Sequence, residues 1–423
     1  MQFKNCIIMN VGSYIFSQVV DYIPRYQFDK LVAKYHGNRH SRDLTCYNQL
    51  LHLLFGQVTG CGSLRDICLC LEAHKPILYH LGFRNTVTQP SLSRANENRD
   101  YRIYEGLGTY LISIVRPLYS KTAIPEITVD NVLYALDSTT ISTSIKLATW
   151  ALGKYSKGGV KMHTLLDLRG SIPANIHITH GRWHDSNELD IIEPEPYAFY
   201  MMDKAYVDFD ALFRFHLAGA YWVTRPKENM KYEILGYREL SDADRNAGVT
   251  GDFTIRLTTK SIALYPEPIR AVCVYDEEAG EEIVFITNNF DISAAEVACL
   301  YRHRWDIEVF FKWVKQNIVV KTLWGYSENA VRTHLWVAVI AYLIIARIKA
   351  DYKSPYSITE VATLIRISAL EKITLRELIT KPRDSVNINL SKNSLYFEYL
   401  YLTRFYRISS IFITPNSTLY FPT

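Results

Sequence analysis

The chain has no Cys-x-x-Cys pair, and its seven cysteines (Cys6, Cys46, Cys61, Cys68, Cys70, Cys273, Cys299) show no Cys/His spacing of a metal site. An odd number of thiols without a framework pattern points to buried or free thiols in a reducing compartment. No basic start followed by an apolar core and a small-residue cleavage site is present, so no secretion signal is expected. Long apolar runs are also lacking. The longest, LWVAVIAYLIIA (Leu335–Ala346), stops at Arg347 after twelve residues, short of the ~20 that span a bilayer. It is expected to be a buried helix, and the protein to be cytoplasmic, with no membrane partner. Internal repeats and low-complexity tracts are absent, and a net charge of +4 is too small to demand a polyanion.

What is present is ordinary for a globular chain: 48% apolar and 21% charged residues over 423 positions, enough for two or three domains. The charge is unevenly spread. Lys and Arg outnumber Asp and Glu by 14 to 10 in residues 1–130 and by 8 to 3 in 301–350. That excess suits a nucleic-acid groove and suits ordinary surface variation equally well.

Residues 1–130 read as helical. FDKLVAKY, YNQLLHLLFGQV and SLRDICLCLEAH carry apolar residues at helical spacing, with Ser63 at an N-cap position. The segment ends in a polar stretch with Ser91, Arg94, Asn96, Asn98 and Arg99, compatible with a helix-turn-helix-like DNA reader or with a plain bundle that has a polar face. From about 130 the period changes. VLYALDSTTIS, GVKMHTLLDLRGSIP, ANIHITH and PYAFYMMDKAY read as strands, WHDSNELDII as a short helix capped by Asp185 or Ser186, VDFDALFRFHLAG as a helix and AYWVTRPK as a strand. The alternation argues an α/β arrangement. DFTIRLT, RAVCVYD and EIVFITN, within 226–290, form a β-rich stretch without helical pattern. Ser293 and Glu296 then have the spacing of a capping box. The helix they open is expected to run from about Ala294 to about Asn317, with further helix over 326–350.

Candidate chemistry lies on this helix and on two strand ends. On a helical wheel Tyr301, Arg304, Glu308 and Lys315 share one arc, with Val309, Phe310, Trp313 and Val314 covering much of the opposite side. The i,i+4 pairs Arg304–Glu308 and Glu308–Lys312 would serve a solvated face. Asp137 and Asp203, however, each end a buried apolar strand, where a carboxylate needs a partner such as a hard divalent cation. Two strand aspartates and one helix glutamate suffice to hold two Mg²⁺ ions for phosphodiester chemistry. The cations of the stripe could follow a phosphate backbone. His163 on a strand, His184-Asp185, Trp222 and Trp324 admit site roles, but a core histidine, a helix cap and buried aromatics are equally served by them. Lys154, Lys157 and Lys161 flank an expected Gly-Gly turn and either touch phosphate or are solvated.

The pattern Y-x2-R-x3-E-x6-K, met by Tyr301, Arg304, Glu308 and Lys315, resembles that of bacterial insertion-sequence transposases of the DDE class. LDSTT, GGVKMHTLLDLRGSIP, HDS, MDKAY and TLWGYSENAVRTHLW support the resemblance, which extends from about Val11 to near Leu390. It implies an α/β fold with a ribonuclease H-like catalytic domain (129–225 and 283–350) and a β-strand insertion (226–282). An all-α N-terminal DNA-binding domain (1–128) would precede it, with a C-terminal helical region (351–390) and an unassigned tail (391–423) following. It further implies Asp137, Asp203 and Glu308 as the catalytic, metal-binding triad, served by Mg²⁺ with Mn²⁺ able to substitute. Tyr301, Arg304 and Lys315 would contact DNA. The implied partners are duplex DNA with terminal inverted repeats, target DNA and a second copy of the chain, and members often pass through a hairpin at the element's end. Ala205 stands where relatives often have Gly, and Met9 is a candidate start. A ribonuclease H-like nuclease without strand transfer and an inactive repeat-binding repressor remain as alternatives.

Overall fold

In the computed structural model, which describes residues 12–39, 41, 43–124, 126–143, 150, 158–277, 280–317 and 323–380, the chain begins with helices alone. These are α1 (Ile15–Val20), α2 (Arg25–Lys34), α3 (Cys46–Thr59), α4 (Leu64–Ala73), α5 (Gln89–Asn98) and α6 (Arg102–Val115), with 3₁₀ turns at Lys75–Leu81 and Arg116–Tyr119. Side-chain caps set several starts: Thr45 accepts from Asn48 N, Ser63 from Asp66 N and Thr88 from Ser91 N. Helix α3 stops where Gly60 turns left-handed at φ 77°. The polar α5 serves two ends. Arg94 and Asn98 are exposed, whereas Asn96 is buried against Gln49, and Arg99 just beyond the helix binds Gln49 and Ser41.

Strands follow, with short helices among them: β1 (Leu133–Thr143), β2 (Gly158–Asp167), β3 (Ile172–His180), β4 (Phe199–Met202), α7 (Phe209–Leu217), β5 (Tyr221–Thr224), β6 (Tyr232–Tyr237), α8 (Asp242–Asn246), β7 (Val249–Leu257), α9 (Ser261–Leu264), β8 (Ile269–Asp276) and β9 (Glu281–Thr287). They build one nine-stranded sheet in the order β3-β2-β1-β4-β5-β9-β8-β7-β6. β1 is antiparallel to β2, and β2 to β3, while β4 runs parallel to both β1 and β5. β9 is antiparallel to β5 and β8, so the β-rich stretch extends the same sheet.

Three local expectations are corrected here. The stretch 226–290 does contain helices, α8 and α9, and a strand, β6, whose residues are nearly all exposed and so carry no buried-strand pattern. Gly158 and Gly159 open β2 instead of forming a turn. WHDSNELDII yields only a 3₁₀ turn, Asp185–Glu188.

The sheet is covered on both faces. Leu133 and Ala135 of β1 and Phe199 and Met201 of β4 join the core built with α6 and the later helices. Their neighbours Tyr134, Leu136, Tyr200 and Met202 face a second core with Leu212 and Phe215 of α7, as strand alternation requires. The later helices are α10 (Ala294–Arg302), α11 (Asp306–Asn317), α12 (Glu328–Asp351), α13 (Ile358–Ser368) and α14 (Leu375–Ile379). The apolar run expected as a buried helix lies within α12. Among the described residues this is the one helix long and apolar enough to cross a membrane, and 89% of its apolar window is buried inside the protein. It packs on α3, α6 and α13. The described elements belong to one compact unit ending at Ile379. The tail 391–423, Met9, Lys154 and Lys157 lie outside the described residues.

Candidate functional site: carboxylates on adjacent parallel strands

Leu136 of β1 and Met202 of β4 are register partners in adjacent parallel strands. The next residues are Asp137, which lies inside β1 and not at its end as expected because pairing with β2 carries the strand on to Thr143, and Asp203, which directly follows β4. Alternation turns both away from the α7 side, toward α10 and α11. Asp137 is three-quarters buried; its Oδ1 accepts the Ser138 backbone N–H at 2.7 Å. Asp203 Oδ1 accepts the Lys204 N–H at 2.6 Å, capping the 3₁₀ turn Lys204–Tyr206 that holds Ala205.

The third carboxylate comes from a broken helix. Ser293 caps α10 by accepting from Glu296 N, but the reciprocal half of the capping box is not formed: the Glu296 carboxylate accepts instead from Thr128 N and Oγ1. The single helix expected from Ala294 to Asn317 is interrupted by the 3₁₀ turn His303–Trp305. Its tighter winding, three residues per turn, shifts the helical phase, so the stripe of Tyr301, Arg304, Glu308 and Lys315 does not form one solvent-facing edge. Tyr301 is buried against Phe285, ring centroids 4.7 Å apart, and Arg304 is buried as well. Glu308 and Lys315 remain exposed on α11, as does Val309, which was expected on the apolar side.

Arg304 links helix and strand. Its Nη1 lies 3.4 Å from Asp137 Oδ2 and its Nη2 3.8 Å from Glu308 Oε1. The electrostatics tie the three acids together. Burial raises the Asp137 carboxyl, Arg304 opposes this, and Asp203 and Asp185 raise it further. Burial likewise raises Glu308, with Arg304 and Lys315 opposing and Asp137 and Asp203 adding. Asp137 thus feels Asp203, and Glu308 feels Asp137 and Asp203, as like charges. The donor set, all hard oxygen, fits a divalent cation such as Mg²⁺. Yet among the described residues no group of three or more His, Cys, Asp or Glu stands close enough to hold a metal ion.

Behind Asp137, on the α7 side, lies a cluster whose members the sequence offers one by one but does not join. Asp185 caps no helix. Its Oδ1 accepts the Ser138 hydroxyl at 2.7 Å, and both its oxygens lie 3.0 Å from Lys161 Nζ. Lys161 is buried, not solvated, and also donates to Trp183 O. His163 is a core histidine, bonded through Nε2 to Thr179 Oγ1, with Nδ1 3.7 Å from Asp185; burial lowers it to about 4. The register Ser138↔His163 and Thr140↔Lys161 sets these side chains on one face. Trp222 is buried in the α7-side core, and Trp324 stacks on His334 at 4.1 Å, so both are packing aromatics.

Comparison with known proteins bears on the whole of this region. The family described as Transposase DDE domain matches residues 130–344, and a domain of unknown function (DUF4372) matches residues 11–84. A putative transposase of Sinorhizobium fredii, y4zB, is 34% identical over 214 residues, 50% of this chain and 60% of that protein. A probable transposase for insertion sequence element IS5377 of Geobacillus stearothermophilus is 33% identical over 50% of this chain and 55% of its own. The chain thus spans less than two thirds of the length of these two relatives. A putative transposase for insertion sequence element IS4SA of Synechocystis is 26% identical over 69% of this chain and 82% of that protein. Among solved structures, the piggyBac transposase synaptic complex with hairpin DNA aligns with 90% of this chain at 10% identity with a TM-score of 0.40, too low to carry an argument. The match to residues 130–344 takes in half the sequence, the adjacent parallel strands β1 and β4 and the helix of Glu308; the chain belongs to the DDE transposase family.

Proposed function

We propose that the protein is a DNA transposase that cuts at the terminal inverted repeats of an insertion sequence and joins the 3′ ends to target DNA. The observation that carries this reading is the neighbouring placement of Asp137, within β1, and Asp203, directly after β4, where the parallel pairing of the two strands stops, with Glu308 brought to the same face from α11. The order β3-β2-β1-β4-β5, antiparallel on one side of β1 and parallel on the other, supports a ribonuclease H-like catalytic core. In this reading the helices before β1 form an N-terminal DNA-binding region, and β6 to β8, within 226–282, the insertion between the second Asp and the Glu.

Asp137, Asp203 and Glu308 would hold the divalent metal, Mg²⁺ by preference and Mn²⁺ as substitute. Bound there, the cations supply charge stabilisation for the attacking and leaving oxygens of a phosphodiester. The chain's own contribution is positional. Strand pairing fixes the two aspartates relative to each other, α11 swings the glutamate in, and Lys315 offers an exposed cation to the phosphate backbone. Duplex DNA with terminal repeats, target DNA and a second copy of the chain on paired ends are the partners.

The test is incubation of the purified protein with a duplex carrying its element's terminal repeat and Mg²⁺ or Mn²⁺. End-specific nicks and joined products are expected. Nicks without joining reduce the reading to a nuclease, and binding without cutting to a repressor. Glu308→Gln abolishes cutting and largely spares binding; normal cutting by this variant would remove Glu308 from the triad.

A further inference from the structure

Arg304 has a position that a DNA contact does not explain. A side chain that binds phosphate from an exposed helix edge should be solvated, yet only 9% of this one is exposed. Its Nε is buried without a hydrogen-bond partner, a costly arrangement for a cation unless something nearby needs the charge. Two acids do need it: Asp137 Oδ2 at 3.4 Å and Glu308 Oε1 at 3.8 Å, one on each amino group of the guanidinium. Both separations exceed the ~2.7–2.9 Å of a charge-assisted hydrogen bond. The guanidinium sits between the carboxylates as a diffuse counter-charge and not as a bidentate clamp.

The break in the helix makes this possible. Because His303–Trp305 is a 3₁₀ turn, Arg304 points inward to β1 while Glu308, four residues on, stays half exposed. The guanidinium lies between two aromatic faces, 5.7 Å from the Tyr301 ring centroid and 5.1 Å from that of Trp305. The Trp305 residue is 56% exposed, so it offers a cation a stepping place toward solvent.

We propose that Arg304 is a positioning residue that holds the place of the divalent cation between Asp137 and Glu308 in the DNA-free protein, and leaves it when metal and phosphate compete for its partners. The proposal rests on the reading of Asp137, Asp203 and Glu308 as the metal-binding set, and it accounts for the absence of a formed three-acid cluster among the described residues. Its consequence is a weak affinity for metal away from DNA, which would keep the unbound protein from cutting indiscriminately. With Arg304 removed, the carboxylates lose their internal counter-charge and take a cation more readily.

The experiment measures Mn²⁺ binding to the full chain without DNA, by the electron paramagnetic resonance signal of free Mn²⁺. Arg304→Gln is expected to bind Mn²⁺ at least about tenfold more tightly than the unaltered protein, the effect of roughly one removed like charge at partly screened distance. A larger rise in melting temperature on adding Mn²⁺ accompanies it. Arg304→Lys keeps a charge for folding but can face only one carboxylate, so it tightens binding by a smaller factor and decides the matter if the glutamine variant does not fold. A folded variant that binds Mn²⁺ no more tightly than the unaltered protein overturns the proposal. The metal reading itself is checked separately by Asp137→Asn in the Arg304→Gln background. Loss of the Mn²⁺ site there leaves that reading intact whatever Arg304 does, and retention of it sinks both.

Discussion

At the scale of single residues, Asp185 and Lys161 show where reading along the chain fails. Asp185 precedes a short polar segment and has a cap's chemistry, while Lys161 follows a Gly-Gly pair and resembles a solvated loop lysine. Their pairing depends on strand register: β2 sets Lys161 opposite Thr140 on the face where Ser138 points, and the loop after β3 brings Asp185 over it. Nothing local encodes that meeting. Asp137 and Asp203, by contrast, stand out along the chain because an acid that follows a buried apolar run is anomalous wherever the run lies, although β1 continues past Asp137 to Thr143. The pair also has a measurable weight. Lys161 is 10% exposed and Asp185 24%, and removing one partner of a buried pair costs ~3–5 kcal/mol. With Asp185 partly in water, Asp185→Asn should lower the unfolding free energy by about 2 kcal/mol. In urea titrations the midpoint falls and the slope is unchanged. Lys161→Met added to it should recover part of the loss, because no unpaired ammonium then remains buried; a double variant weaker than the single by a full additive increment would show the two charges to be independent.

At the scale of elements, periodicity found most helices and strands, and missed those whose stability comes from elsewhere. β6 is exposed along its length and is held by pairing with β7, so no buried face marks it. The break at His303–Trp305 contains neither Pro nor Gly, the usual local signals; it coincides with Tyr301 and Arg304 turning in against Phe285 and Asp137. Contacts between elements, not propensities within them, decided both. The crossing of α6 and α12 gives a direct test of such a contact. A Cβ at Gly108 would lie 2.6 Å from Trp336 Cε3, in a ring that is itself fully buried. A Cβ at Gly106, two residues earlier, meets the flexible end of half-buried Leu31 at 2.6 Å. Alanine in a helix interior gains up to ~1 kcal/mol over glycine, and overpacking a rigid core costs ~1–3 kcal/mol. Gly106→Ala should therefore be neutral or stabilising, and Gly108→Ala destabilising. Thermal melts of the two variants that move in the same direction would mean that α6 and α12 do not cross as described.

At the scale of the whole molecule, the buried histidines set how the fold responds to acid. Burial lowers His334 to about 3, and His52 to about 4 despite the opposing bond of its Nδ1 to Asn48 O; His163 is also held at about 4. Each stays neutral in the folded chain while its unfolded counterpart takes a proton near pH 6.5. Their contribution to stability is therefore complete above pH 6.5 and is lost as pH falls from there toward the folded values, with a slope of up to about 1.4 kcal/mol per pH unit for each group. The carboxyls of Asp21, Glu105 and Asp351, raised by burial, act in the opposite sense. Their contribution to stability is complete below their ordinary values of 3.8 and 4.5 and is lost as pH rises above them. Between about pH 6.5 and 5 each of the three histidines lowers stability as protons are added. Unfolding free energy measured in urea should decline across that interval, and His334→Phe should flatten the decline. The variant keeps an aromatic ring against Trp324, where the imidazole stacks at 4.1 Å and 6°, and carries nothing that titrates. An unflattened decline in a folded His334→Phe protein would mean that His334 is reached by protons in the native state, and that α12 is not the sealed core helix on which the sheet and its carboxylates rest.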